Sequence, residues 1–163
     1  MTCLFELSIA LLITLLNGFF VMAEYSLVRI RKSRLDELIR QGKSRANTVL
    51  KMSEKLDTYL SATQLGITAS SLLLGWFGGP LLAEMFRGMF GVSAGTWYDH
   101  SLVFACAFLI IVFLHVVFGE LVPRTIALGK VEQVAMAVAY PFVFFHYLLY
   151  PLVVLFNRIS HAV

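Results

Sequence analysis

Four long apolar stretches, separated by short polar connections, dominate the hydrophobic pattern of the chain. The stretches without a formal charge run over 7–23, 60–83, 101–119 and 134–157. A helix needs about 20 apolar residues to cross the hydrocarbon core of a bilayer. The pattern therefore predicts an all-α membrane protein with spanning helices at about 4–28, 60–83 and 101–122.

The fourth stretch contains Pro141 and Pro151 among many aromatic residues. Proline removes a backbone hydrogen bond and kinks a helix, and a bilayer tolerates this only where neighbouring groups satisfy the freed carbonyls. The stretch therefore predicts either a fourth crossing or a kinked helix along the inner leaflet. Periodicity alone does not separate the two.

The segment 29–59 carries nine of the 13 Lys and Arg residues. The bias of positive charge towards cytoplasmic connections places this segment inside the cell and the amino terminus outside. Its apolar residues recur at helical spacing, interrupted at Gly42. We expect a helical hairpin at about 33–56 with Ser33 and Ser44 as helix N-caps; a plain amphipathic surface helix is the alternative.

Composition excludes several classes of protein. The chain is 59% hydrophobic and 14% charged, which is unlike a water-soluble globule or a disordered segment. The net charge of +3 is explained by topology and needs no nucleic-acid partner. A secretory signal peptide is not expected, because no basic region precedes the first apolar stretch. The two cysteines lack metal-binding spacing, and no nucleophile with a base or zinc motif predicts an enzyme.

Four polar side chains within the apolar stretches fall at a similar predicted depth, in the inner half of the membrane: Glu24, Gln64, Thr68 and Glu120. Polar groups in lipid are costly. Carboxylate, amide and hydroxyl oxygens are hard ligands that suit Mg²⁺ or Ca²⁺, or Na⁺ where the charge is lower. Two other interpretations stay open: the carboxylates pair with nearby arginines or reach water, and the amide and hydroxyl bridge helices.

The segment 119–124, Gly-Glu-Leu-Val-Pro-Arg, is the sharpest local motif. Pro123 restricts Val122 and predicts the end of a helix there. The last turn of that helix would expose free carbonyls beside Glu120. Broken helices in transporters present such carbonyls to cations.

Four segments together resemble the transmembrane domain of the CNNM/CorC family of magnesium transporters. They are Asn-Gly-Phe-Phe at 17–20 followed by Ala23-Glu24, Ser-Arg-Leu-Asp-Glu-Leu at 33–38, Tyr-Leu-Ser-Ala-Thr-Gln-Leu-Gly-Ile-Thr at 59–68, and the motif at 119–124. They occur in the family's order and spacing, over roughly residues 5–158.

This resemblance implies a homodimer in the inner (plasma) membrane, with three spanning helices, a cytoplasmic hairpin and a cytoplasmic carboxyl end. It makes 134–156 a kinked juxtamembrane helix. Family members continue into cytoplasmic CBS-pair domains that bind nucleotide. This soluble part is absent here, so we expect the 163 residues to be one transmembrane domain of a longer protein.

The implied activity is Mg²⁺ transport, mainly efflux, by alternating access, with Na⁺ as a possible counter-ion. The alternative is a non-transporting membrane anchor for sensor domains. Family members with the best-described site have serine and asparagine where this chain has Val21 and Ile67, and its Gln-x-Gly-Ile-Thr motif resembles that of a distinct bacterial branch. The predicted metal site comprises Glu120, Glu24, Gln64, Thr68, Gly119 and Gly66.

Overall fold

The computed structural model describes residues 2–90 and 97–161, and all regular structure within them is helical. The elements are α1 (Thr2–Arg29), α2 (Lys32–Arg40), α3 (Ser44–Glu54), α4 (Leu56–Phe90), α5 (Trp97–Leu114), a π-helical segment (His115–Leu121), α6 (Val122–Gly129) and α7 (Val131–His161). The predicted all-α class is confirmed.

Helix α1 lies at the centre of the molecule and packs against α4, the π-helical segment, α6 and α7. Its buried face carries Phe20, Ala23 and Leu27, which join one continuous apolar core with residues of the α2–α3 hairpin, α4, α6 and α7. The opposite face is apolar and exposed, as at Leu11, Leu12 and Leu15. A helix that is apolar all round and exposed on one side is typical of a helix in contact with lipid.

The predicted hairpin forms, because α2 and α3 are joined by a tight turn at Gly42. Gly42 has a φ of 79°, a left-handed conformation that favours glycine. The Gly42 N–H bonds to the Ile39 carbonyl and the Lys43 N–H bonds to the Leu38 carbonyl. This pair of bonds is the Schellman ending of a helix.

The N-caps predicted for the hairpin were wrong. The cap positions are Arg31 and Lys43, and neither makes a side-chain capping bond. Ser33 and Ser44 lie within the first two residues of their helices. The helices begin earlier because apolar anchors set their position: Leu35 and Leu38 in α2, and Val49 in α3, are fully buried.

Helices α5 and α6 are joined without a break by the π-helical segment, whose flanking residues Leu114 and Val122 both have right-handed helical dihedrals. The predicted helix end at Val122 was therefore wrong. Instead of ending, the backbone inserts a wide turn in which the Val122 N–H bonds to the Val117 carbonyl, five residues back. Pro123 then occupies the first turn of α6, where a missing N–H is tolerated.

Helix α7 contacts the charged end of the molecule, formed by the α2–α3 hairpin and the start of α4, at three points along its length. Glu132 accepts a hydrogen bond of 2.6 Å from Arg34 of α2. The guanidinium carbon of Arg45 in α3 lies 5.6 Å from the ring centroid of Tyr140. The ring of His146 stacks on Tyr59 near the start of α4, with centroids 4.2 Å apart.

By length and apolar composition, three stretches of the described chain are able to cross a membrane: Leu7–Arg29, Phe108–Gly129 and Val131–Phe156. The first and second correspond to predicted spans. The third is the stretch predicted as a juxtamembrane helix. The predicted span 60–83 lies in α4, which has 35 residues but whose described part includes polar side chains such as Gln64 and Ser71.

Candidate cation site

A side chain of α1 satisfies the carbonyl that Pro123 leaves free. In a regular helix the N–H of residue 123 would bond to the carbonyl of Gly119, and proline has none. The Nδ2 of Asn17 donates a hydrogen bond of 2.9 Å to this carbonyl. Asn17 is only 1% exposed, so the bond is shielded from water. The Gly119 carbonyl, predicted as a free cation ligand, thus has one partner and retains a second lone pair.

Two glycines allow this close contact between α1 and the π-helical segment. A Cβ on Gly18 would lie 2.9 Å from Cγ of Pro123. A Cβ on Gly119 would lie 3.0 Å from Nδ1 of His115 and 3.2 Å from Nδ2 of Asn17. Larger residues at either position would push the two helices apart.

The π-helical segment is also linked to α4. The Oγ of Ser71 lies 3.0 Å from Nε2 of His115, and it donates to the Ile67 carbonyl of its own helix at 2.8 Å. Two buried atoms beside this contact, Oδ1 of Asn17 and Nδ1 of His115, have no hydrogen-bond partner within the described part of the chain. Polar atoms of this kind are usually satisfied by ordered water or an ion.

The two predicted carboxylates lie on facing elements. Glu24 of α1 is partly buried, while Glu120 is exposed on the π-helical segment. The Glu24 carboxylate is beside the hydroxyl of Thr63 and within electrostatic range of Glu120. Glu120 also interacts electrostatically with His115. Thr63 is therefore a neighbour of Glu24, and Glu24 and Glu120 repel each other electrostatically.

Among the side chains that the structure describes, neither carboxylate is paired with an arginine. The ion pairs found there join Arg34 to Glu37 and to Glu132. Arg124, the nearest basic residue in sequence to Glu120, instead has its guanidinium carbon 4.7 Å from the ring centroid of Tyr25. The interpretation in which arginines neutralise Glu24 and Glu120 finds no support in these contacts.

The other predicted residues are divided between the core and the surface. Gln64 and Thr68 are exposed on α4. Gly66 is buried against the ring of Phe20, where a Cβ would come within 2.6 Å. It brings α4 close to α1 and so positions Thr63.

Sequence reasoning missed Thr63, because Thr63 and Gln64 are neighbours and only their helical rotation separates them. Asn17, Ser71 and His115 have partners on other elements of the fold, which no local sequence pattern reveals. At the two positions where the family pattern has polar residues, Val21 is 1% exposed within the core and Ile67 packs against it.

Among the described residues, His, Cys, Asp and Glu do not gather in groups of three or more that could hold a metal ion. A metal ion near Glu24 and Glu120 would therefore be completed by hydroxyl, amide or backbone oxygens and by water. Such mixed oxygen shells are typical of Mg²⁺, which keeps several of its waters in protein sites.

Long apolar helices joined by glycine contacts, with polar groups buried between them, define an all-α membrane protein. The chain belongs to the CNNM family, since the model of the cyclin M transmembrane N-terminal domain matches residues 7–163.

Relatives from bacteria agree with this assignment. The UPF0053 protein YugS of Bacillus subtilis (strain 168) is 40% identical over 143 residues, which cover 87% of this chain and 33% of the relative. The UPF0053 protein YhdP of the same organism is 41% identical over 151 residues, 92% of this chain and 34% of the relative. The uncharacterized protein Rv1841c of Mycobacterium tuberculosis is 37% identical over 155 residues, 95% of this chain and 44% of the relative. The chain thus spans one third to less than half of these relatives.

Proposed function

We propose that this chain is the membrane domain of a Mg²⁺ transporter, with an acidic site at Glu24 and Glu120. The observation that carries the proposal is that these two carboxylates repel each other electrostatically and that neither forms an ion pair with an arginine among the described side chains. Two negative charges at the edge of a membrane repel each other and are costly to desolvate. A divalent cation between them relieves both costs.

The elements around the site suit a cation that moves. Glu120 lies in a π-helical segment, a feature that is frequent at functional sites. The segment is held by two single hydrogen bonds, from Asn17 to Gly119 and between Ser71 and His115. In the proposed mechanism, alternating access opens the site first to one side and then to the other. No covalent chemistry is involved, and Na⁺ is the proposed counter-ion.

The contacts of α7 support its placement along the membrane surface. Glu132 and His146 are about 21 Å apart along a helix that rises about 1.5 Å per residue. Both contact residues of the charged end, Arg34 and Tyr59. A helix that crossed the bilayer would carry His146 away from this end. We therefore propose that α1, α4 and α5–α6 cross the plasma membrane while α7 lies along the cytoplasmic leaflet, with the amino terminus outside.

A homodimer would cover the exposed polar residues of α4. Gln64 and Thr68 lie on the same outer face as Leu72 and Trp76, which are 71% and 78% exposed. An amide and a hydroxyl in contact with lipid are unfavourable, and such groups hydrogen-bond between helices. In the proposed dimer this face meets its copy, and Gln64 and Thr68 line the seam between the protomers.

The test is Mg²⁺ flux into liposomes that contain the full-length protein. Glu120→Gln and Glu24→Gln should each reduce flux strongly, because each removes a charge that holds the cation. Glu54→Gln is the matched control, since Glu54 is an exposed carboxylate at the end of α3. Gln64→Ala tests whether the α4 face takes part.

Equal flux in the wild type, Glu120→Gln and Gln64→Ala would contradict the site. The non-transporting anchor would then be the better description. It predicts that Glu120→Gln leaves the tolerance of cells to Mg²⁺ unchanged.

A further inference from the structure

A basic cavity of about 460 Å³ opens where α1 ends and where α2 and α7 begin. Its polar lining consists of Arg29, Arg31, Ser33, Arg34, Glu37 and Glu132. Three arginines against two carboxylates leave one positive charge in excess. The cavity is separate from Glu24 and Glu120 and has no part in the proposed transport site.

The three arginines of this cavity differ in whether they form ion pairs with the acidic residues that the structure describes. Arg34 donates hydrogen bonds to both Glu132 and Glu37, and these two carboxylates raise the pKa of Arg34. Arg29 and Arg31 are exposed and form no ion pair with any acidic residue that the structure describes. Their guanidinium groups remain available for an anion.

The first turn of α2 adds donors to the same cavity. The first N–H groups of a helix have no partner within it and carry partial positive charge. Here the cap residue Arg31 makes no side-chain capping bond, and the first turn contains no acidic residue. The Ser33 hydroxyl lines the cavity. Guanidinium groups, a hydroxyl and free N–H groups together match the oxygens of a phosphate.

The depth of the cavity indicates where the phosphate comes from. Arg29 is the last residue of the apolar stretch Leu7–Arg29, so the cavity lies where the hydrocarbon core gives way to lipid headgroups. Arg and Lys clusters next to a spanning helix attract anionic lipids. We propose that this cavity binds the phosphate of an anionic phospholipid headgroup. The proposal does not depend on transport of Mg²⁺.

The test is native mass spectrometry of the full-length protein, titrated with phosphatidylglycerol or with phosphatidylcholine of the same acyl chains. The wild type should bind phosphatidylglycerol more tightly. Arg29→Gln/Arg31→Gln should weaken this binding about tenfold or more and leave phosphatidylcholine binding unchanged. Arg40→Gln/Lys51→Gln removes the same charge from exposed positions outside the cavity and should bind as the wild type does.

Ser33→Glu provides a variant that should fold well, because an acidic residue in the first turn stabilises a helix. Its carboxylate should repel the headgroup and also lower the affinity for phosphatidylglycerol. Equal affinity in the wild type, Arg29→Gln/Arg31→Gln and Ser33→Glu would overturn the proposal. An equal loss in Arg40→Gln/Lys51→Gln would also overturn it, as would displacement of the lipid by stoichiometric glycerol 3-phosphate, which would indicate a site for soluble phosphates.

Discussion

The Asn17 side chain donates a hydrogen bond that a backbone N–H would donate in a regular helix. It replaces the N–H that Pro123 lacks and bonds to the carbonyl of Gly119 across two elements. Because this carbonyl is buried, the alternative to Asn17 is an acceptor without a partner, and such a group is unfavourable. Glycines at 18 and 119 matter for the same reason, since they let the amide reach its acceptor.

Replacement of Asn17 with alanine should lower the free energy of unfolding by about 1–2 kcal/mol. The variant loses the bond to Gly119 and leaves its carbonyl unsatisfied. Thr14→Val on the same helix is the matched control, since the Thr14 hydroxyl bonds only to Ala10 of its own helix. Thermal unfolding in detergent, followed by circular dichroism, measures both. Equal melting temperatures for Asn17→Ala and the wild type would contradict this role.

Two glycines of α4 can be compared by the same substitution to alanine, because they differ in the space around a Cβ. A Cβ at Gly66 would overlap the Phe20 ring at 2.6 Å, whereas a Cβ at Gly75 meets nothing within 4 Å. Gly66→Ala should destabilise the protein by about 1–3 kcal/mol through overpacking. Gly75→Ala should be neutral or stabilise it by up to about 1 kcal/mol, because alanine favours a helix. The melting temperature of Gly66→Ala should therefore be lower than that of Gly75→Ala. A lower melting temperature for Gly75→Ala would contradict the packing of α1 on α4.

At the scale of the elements, α7 is held to the rest of the protein through a cluster of aromatic rings. Phe142 is fully buried and contacts the rings of Phe19, Phe20 and Tyr59, which belong to α1 and α4. Aromatic pairs in tilted or edge-to-face arrangements add to the stabilisation that burial gives. This cluster, together with the ion pair at Glu132, holds a helix that contains two prolines against the rest of the protein.

Phe142→Ala should cost about 3–5 kcal/mol, because it leaves a large cavity in the aromatic cluster. Phe144→Ala should cost little, since Phe144 is 66% exposed on the same helix. Hydrogen exchange of the α7 amides gives the most direct readout, and faster exchange is expected for Phe142→Ala alone. Similar exchange in both variants would show that α7 is held by other contacts.

The helices were largely predictable from the sequence, whereas their rotations and one junction were not. Uninterrupted apolar runs and Gly42 predict the helices of 2–29 and 32–54. The continuation of the helix at Pro123 is different, because the carbonyl of Gly119 is satisfied here by a residue that is distant in sequence. The distance from Asn17 to Gly119 is 102 residues in sequence, so no local pattern reveals the pair. Whether Thr63 or Gln64 lies beside Glu24 likewise depends on the rotation of α4 about its axis, which is set by the contact between Gly66 and Phe20.

For the molecule as a whole, the exposed face of α4 determines which surface is available for a second copy. A single chain leaves Gln64 and Thr68 exposed beside Trp76. The basic cavity at the charged end is lined by residues at the end of α1, in α2 and at the start of α7, and by none of α4. A dimer formed along α4 would leave this end and its basic cavity accessible.

Thr68→Cys should form a disulfide-linked dimer under mild oxidation in membranes, after Cys3 and Cys106 are replaced by serine. Tyr147→Cys is the control, because this residue is 72% exposed on α7, outside the proposed seam. Gel electrophoresis without reductant measures the dimer. Cross-linking through position 147 but not through position 68 would place the interface elsewhere.

The wide turn at His115–Leu121 also determines where the chain can change its length. It contains one residue more than a regular helix of the same span, and each helical residue turns by about 100°. Deletion of a single residue here would leave a regular helix of the same span, so Arg124 would stay at the Tyr25 ring and Ala127 in the core. The same deletion in α5 or α6, where no residue is in excess, would rotate everything that follows by that angle. We expect naturally occurring deletions of one residue to fall in this stretch rather than in the regular helix on either side.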